Sequence, residues 1–204
     1  KYYISLADKF EKDHLHLASF IYFFLSCNFD FDKDYDKEKT TEFISQLLEE
    51  EKSLGNKSFI KSNCVLKQPV WNTKLTEPEL KSYLREYLKI QDNDFLNFQM
   101  DLFYKFEITE ELIPEKKIIT NAKTTVAKQP SKENQYAYLD WLEKQDCKRG
   151  FFSISKPLFN ESYDLAIIRF EEICGPLCGG GVIILYEFKK GKWSKKKILD
   201  NWIR

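Results

Sequence analysis

Histidine and arginine are scarce. Among 204 residues there are two histidines, at 14 and 16, and arginine stands only at 85, 149, 169 and 204. The cations are overwhelmingly lysine, whereas phosphate and base recognition favour the forked, bidentate donors of arginine. The 32 basic residues are balanced by 32 acidic ones, which argues against a general polyanion binder or a polybasic membrane-surface protein. Nucleic acid is therefore not an expected partner. Seven glycines and six prolines are too few for a disordered or low-complexity chain, and no internal repeat is present. No apolar run reaches the roughly 18 residues of a membrane span. The chain also lacks G-x-S-x-G, a phosphate loop, a dinucleotide fingerprint and a zinc motif. His14 and His16 are two apart, so they do not share a helical face, and no carboxylate completes a metal motif around them. They read as ordinary surface or boundary residues. No catalytic, metal-binding or cofactor-binding residue is assigned, and no cofactor is expected.

What the chain has is aromatic bulk, 16% of its residues, led by 17 Phe and 11 Tyr, enough for an ordinary core in one domain of this length. Five cysteines stand at 27, 64, 147, 174 and 178. That is no disulfide scaffold, and the odd count leaves at least one without a partner in its own chain unless it is modified.

The most readable stretch is the last quarter. Tyr163 to Phe170 and Val182 to Phe188 are rich in β-branched and aromatic residues and bounded by turn formers, so they read as strands. Tyr163, Leu165 and Ile167 share one face of the first, and Ala166, Ile168 and Phe170 the other. Both faces are apolar, which predicts a strand covered on two sides. The link holds Pro176 and Gly175, Gly179, Gly180 and Gly181, and predicts a wide, bulged corner. Cys174 and Cys178 lie four apart across it. A disulfide needs Cα atoms roughly 4.4–6.8 Å apart, a separation that a bent chain supplies, and so short a loop adds only about 2 kcal/mol. A shape-setting disulfide or two buried thiols is the favoured reading. A redox or metal-binding thiol pair is the alternative, weakened by the CxxxC spacing and the lack of a second pair. Phe188-Lys-Lys-Gly-Lys-Trp193 signals a hairpin with Gly191 left-handed. The lysines at 189, 190, 192, 195, 196 and 197 fit an edge strand protected against edge-to-edge pairing.

Ser155-Lys-Pro-Leu-Phe159, then a strand, Cys174-Gly-Pro-Leu-Cys178-Gly-Gly-Gly, an apolar strand and Gly191-Lys-Trp193 together resemble the C-terminal region of a group of uncharacterised proteins. These are frequent in Bacteroidetes-type bacteria and are described as hypothetical proteins or lipoproteins. The resemblance covers roughly the last 55 residues, with a weaker match around Asp92 to Gln99. It implies a bacterial protein of the cell envelope, periplasmic or lipid-anchored, with a cytoplasmic location as the alternative. It implies no activity.

Earlier in the chain, residues 5 to 26 show apolar residues at helical spacing. Leu15 to Ser26 followed by Cys27 also resembles a lipoprotein signal, but Glu11 and Asp13 in its n-region favour the helix. A signal removed ahead of Lys1 stays open. The alternation Asp30, Asp32, Asp34, Asp36 invites a calcium reading, yet Tyr35 and Thr41 stand where a calcium loop wants Gly and Glu. A solvated acidic loop is preferred. A helix from about 38 to Leu54 follows, stopped at Gly55-Asn56. A short strand falls within Phe59 to Leu66. Thr76-Glu-Pro-Glu79 is a capping box ahead of Leu80, Tyr83, Leu84, Tyr87 and Leu88, and Asp92 caps a further helix. Gln99 sits among apolar neighbours there, bonding to core backbone or facing a pocket. Leu112 to Thr120 reads as a strand, Asn121 to Lys132 as a linker, and Tyr136 to Leu142 as a short helix.

These readings compose one α+β domain over 1–204: mainly helical through 106, strand and linker over 107–132, then a short helix and an antiparallel meander over 133–204, with the helical half packed on the meander. The leading functional expectation is a non-catalytic binding or interaction protein. A small-ligand pocket protein of nuclear-transport-factor-like shape is the first alternative, with Gln99, Tyr186 and Trp193 as candidate pocket-lining residues. A thiol-dependent enzyme using Cys174 and Cys178 is the second. The partner, whether a protein or a small ligand, and the oligomeric state are not assigned.

Overall fold

Acidic residues open the first described helix, and a lysine lies in its last turn, both favourable to the helix dipole. This helix, α1, spans Lys33–Leu54 and buries Asp36, Thr40, Phe43, Ile44, Leu47 and Glu51 along one stripe. The computed structural model describes residues 31–55, 58, 60–69, 77–120, 140–147, 149–175 and 178–203. The expected helix over 5–26, the signal reading at Cys27, His14 and His16, Thr76 of the capping box and the linker over 121–132 lie outside the described residues. Contacts divide the chain into two units, Lys1–Lys33 and Asp34–Arg204. The architecture below is that of the second.

α1 corrects one expectation. Asp32 is exposed ahead of the helix, as a solvated acidic loop would have it, but the helix begins at Lys33 and not at 38. Asp34 and Asp36 are already helical, and Asp36 is buried. The other helices follow their local signals. α2, Glu77–Leu88, carries Pro78 in its first turn and buries Leu80, Leu84 and Leu88. α3, Asn93–Tyr104, is capped by Asp92, whose side chain accepts from the N–H groups of Asp94 (2.7 Å) and Phe95 (3.4 Å). It buries Phe95, Leu96, Gln99, Met100 and Phe103.

Among the described residues, seven strands form one sheet. They are β1 (Cys64–Leu66), β2 (Lys117–Ile119), β3 (Phe151–Ile154), β4 (Leu158–Phe159), β5 (Leu165–Gly175), β6 (Cys178–Lys189) and β7 (Lys192–Ile203), in spatial order β2-β1-β3-β5-β6-β7 with β4 also on β5. β5, β6 and β7 form the expected antiparallel meander. The short strands β1 and β2 run parallel, as do β1 and β3, so the sheet as a whole is mixed. The fold class is α+β.

One face of the sheet carries Phe152, Ile154, Ala166, Ile168, Phe170, Val182, Ile184 and Tyr186, packed with Phe43, Ile44 and Leu47 of α1. The other holds Cys64, Leu66, Phe151 and Ile173 against Leu142, which sits in a helical stretch at 140–144, and Cys147. β5 is thus covered on both sides, as its sequence requires. The β6–β7 turn places Lys190 (φ 54°) and Gly191 (φ 77°) in the left-handed region between the paired residues Lys189 and Lys192, a two-residue hairpin loop.

The glycine corner is narrower than its sequence suggests. Gly179, Gly180 and Gly181 lie inside β6, opposite Ile173, Glu172 and Glu171, and the register shift falls between Ile173 and Gly175. Gly181 is explained by its neighbour across the ladder, Trp202: a Cβ at 181 would lie 2.4 Å from the indole Nε1. Only a residue without a side chain lets the indole lie on the strand there.

Candidate functional site

β3 and β4 are two pieces of one strand beside β5, interrupted by Ser155-Lys156-Pro157. Proline has no N–H to donate to a ladder, and Ser155 repairs the break. Its N–H donates to the Arg169 carbonyl at 3.0 Å, and its Oγ accepts from the Arg169 N–H at 3.0 Å. The interruption turns Lys156 into the interior, where its side chain is 4% exposed.

Two helices and the strand break converge on that ammonium. Lys156 Nζ lies 2.8 Å from Asp36 Oδ2 and 3.1 Å from Oδ1, and Asp36 itself is 2% exposed on α1. Lys156 also donates to the Pro157 carbonyl at 3.0 Å and to Gln99 Oε1 at 3.4 Å. Gln99, wholly buried on α3, donates from Nε2 to Asp36 Oδ1 at 2.6 Å and accepts from the Phe159 N–H at 3.0 Å. Thr40 and Tyr163 hydroxyls donate to the same carboxylate at 3.4 and 3.3 Å. Tyr163 adopts φ 54°, a conformation rare for an aromatic residue, at the turn before β5. Burial pulls the Lys156 ammonium below the ordinary lysine pKa, and Asp36 opposes that shift. The cluster fixes α1, α3 and the β3–β4 break in one register. On the other face of β5, Arg169 and Glu171 form a second buried ion pair.

Of the residues singled out from sequence, Gln99 bonds core backbone and the ion pair. Tyr186 and Trp193 are buried in the aromatic cluster around Phe43, whose ring centroid lies 5.2 Å from Tyr186 and 4.9 Å from Trp193. Gln46 locks Trp193 to α1, accepting from its N–H at 3.1 Å and donating to its carbonyl at 3.2 Å. None of the three lines the clefts below. Cys174 and Cys178 stand at disulfide distance, with Cα atoms 5.1 Å apart. So do Cys64 and Cys147, 83 residues apart, with Cα atoms at 5.8 Å, a pair no spacing rule announced. Among the described residues no group of His, Cys, Asp or Glu is arranged to hold a metal ion, and no helix is long and apolar enough to cross a membrane.

Among the described residues, these clefts open on the surface. One, of about 390 Å³, lies between the end of α1 and residues 111–116. A second, of about 440 Å³, is walled by Gln68, Phe103, Phe106 and Glu107 and reaches Lys156. A third, of about 220 Å³, is an apolar trough beside Gly180, Val182, Ile198 and Trp202.

No family model, curated protein or solved structure matches this chain. The site is therefore read from its own geometry. Sequence reasoning missed Asp36, Thr40, Lys156 and Tyr163. One signal was present: a lysine followed by proline between Phe151–Ile154 and Leu158–Phe159, two apolar runs that would otherwise form one buried strand.

Proposed function

We propose that the protein is a non-catalytic binding protein of an oxidising compartment, with the bacterial cell envelope as its setting. The observation that carries the reading is the state of Lys156. A buried lysine with a lowered pKa at a cleft is the group a covalent mechanism would use. Here all three ammonium donors are engaged, by Asp36, Gln99 and the Pro157 carbonyl. An ammonium held by a carboxylate at 2.8 Å is a poor nucleophile, and its worth is in fixing the fold. The surface clefts then act by shape, apolar area and charge.

Two cysteine pairs at bonding distance support the compartment, since such pairs persist where thiols are oxidised. The resemblance of the C-terminal quarter to a group of uncharacterised bacterial proteins, described as hypothetical proteins or lipoproteins, agrees with the envelope setting.

The test is a titration of the ¹⁵N-labelled, unreduced protein with short amphiphiles that are cationic, neutral or anionic, followed by amide shifts and by analysis of each probe afterwards. Saturable shifts around a cleft with every probe recovered unchanged are expected. Conversion of a probe, or saturable binding by none of them, overturns the reading.

A further inference from the structure

We infer that the cleft between the last turns of α1 and residues 111–116 is a binding site for a small ligand that joins an apolar body to one positive charge, of the alkylammonium class. The inference rests on the binding reading above and names its site and ligand chemistry.

The floor of the cleft is hydrocarbon, from Leu48 on α1, Ile60 ahead of β1, and Leu112 and Ile113 from the turn before β2. At about 390 Å³ it falls in the range of small-ligand pockets, so displacing water from the floor supplies the apolar part of the affinity. Among the described residues its charged groups are four carboxylates, Glu49, Glu51, Glu111 and Glu115, against two ammonium groups, Lys52 and Lys116. Both cations are already engaged. Lys52 pairs with Glu115 at 2.5 Å, and Lys116 donates to the Ser62 carbonyl at 2.8 Å while lying over the Phe152 ring. Among the described residues neither Glu49 nor Glu111 has an ion-pair partner, and Glu51 lies buried in the wall with the Ser58 hydroxyl donating to it at 2.7 Å. The cleft therefore presents negative charge above an apolar floor. Carboxylates beside low-dielectric walls attract a cation more strongly than the same groups in open water, and an anionic head would be repelled.

The other clefts carry less. The one at Lys156 has its cation engaged, and nothing in the structure shows what covers the trough beside Trp202.

The experiment uses the whole unreduced chain and two probes of equal length and opposite charge, octyltrimethylammonium and octyl sulfate, below their micellar concentrations. Affinity is read by calorimetry and location by amide shifts. The expected result is saturable ammonium binding that shifts amides in 45–55 and 111–116, with the sulfate at least about ten-fold weaker. Replacing Glu49→Gln together with Glu111→Gln, both exposed, weakens the ammonium about five-fold and leaves amide dispersion unchanged. Equal binding of the two probes, unchanged affinity in the double variant, or shifts confined to another face overturns this assignment while the binding reading stands. Saturable binding of neither octyl probe overturns this assignment, and absence of binding by any amphiphile of the wider panel overturns both.

Discussion

Lys156 Nζ sits 2.8 Å from Asp36 Oδ2 with both side chains almost wholly buried, and 120 residues of chain separate them. Taking two charges out of water costs several kcal/mol each, and their attraction repays this only when further hydrogen bonds complete both partners. Gln99, Thr40, Tyr163 and the Pro157 carbonyl complete them here. The pair therefore selects one packing of α1 against the interrupted strand. It does not by itself add much to the total stability.

That view makes a quantitative prediction. Lys156→Met or Asp36→Leu alone leaves a buried charge or donor without its complement and lowers unfolding free energy by about 3–5 kcal/mol. Asp36→Leu combined with Lys156→Met recovers at least half of the loss. Urea unfolding of the four proteins in a double-mutant cycle checks it, and additive losses would show that the two side chains act separately.

The local parts of this design were legible and the distant ones were not. Asp92 caps α3 through bonds to residues two and three positions on, so its role is written in the adjacent sequence. β5 and β6 were readable because a strand buried on both faces needs an uninterrupted apolar run. Asp36 looks the same in sequence as Asp34, yet one is exposed and the other buried, because the helical phase of α1 turns Asp36 towards a lysine that arrives much later in the chain. Gly181 was legible as a glycine of a corner. Its actual reason, an indole from β7 lying on β6, depends on a strand register that local sequence does not specify.

The two cysteine pairs differ in both reach and exposure. Cys64 and Cys147 are wholly buried and span 83 residues, whereas Cys178 is exposed and lies four residues from Cys174. In the chain-entropy model closing the longer loop stabilises by about 4.5 kcal/mol and closing the shorter by about 2. Under mild reductant, Cys174 and Cys178 become alkylated first, and Cys64 and Cys147 only as the protein unfolds. Mass mapping of alkylated peptides against reductant concentration checks the order. Full alkylation of all four when the unreduced protein is unfolded in the presence of the alkylating agent would remove the oxidising compartment.

Gly181→Ala places a methyl group where the Trp202 indole lies, and overpacking of this kind costs about 1–3 kcal/mol. The same substitution in a Trp202→Leu background is much less costly, because a branched aliphatic side chain moves aside where an indole cannot. Thermal unfolding of the single and double variants separates this close approach from a general intolerance of alanine in β6.

Tyr186 gives the pH dependence that the fold should show. Its phenol is buried against α1, and burial raises its pKa well above the ordinary value of 10.0, with Glu50 and Glu51 adding to the shift. Above pH 10 the unfolded chain releases this proton while the folded one keeps it. The unfolded state then binds fewer protons, so stability falls as pH rises, by up to about 1.4 kcal/mol per pH unit for one group. Below pH 10 the contribution is fully present and flat. Tyr186→Phe removes this part of the alkaline slope and leaves the stability at pH 8 nearly unchanged, since no described bond to the hydroxyl is lost. Urea midpoints of the two proteins between pH 8 and pH 11.5 decide the matter: parallel curves would show that the phenol ionises in the folded state and that the core around Phe43 admits water.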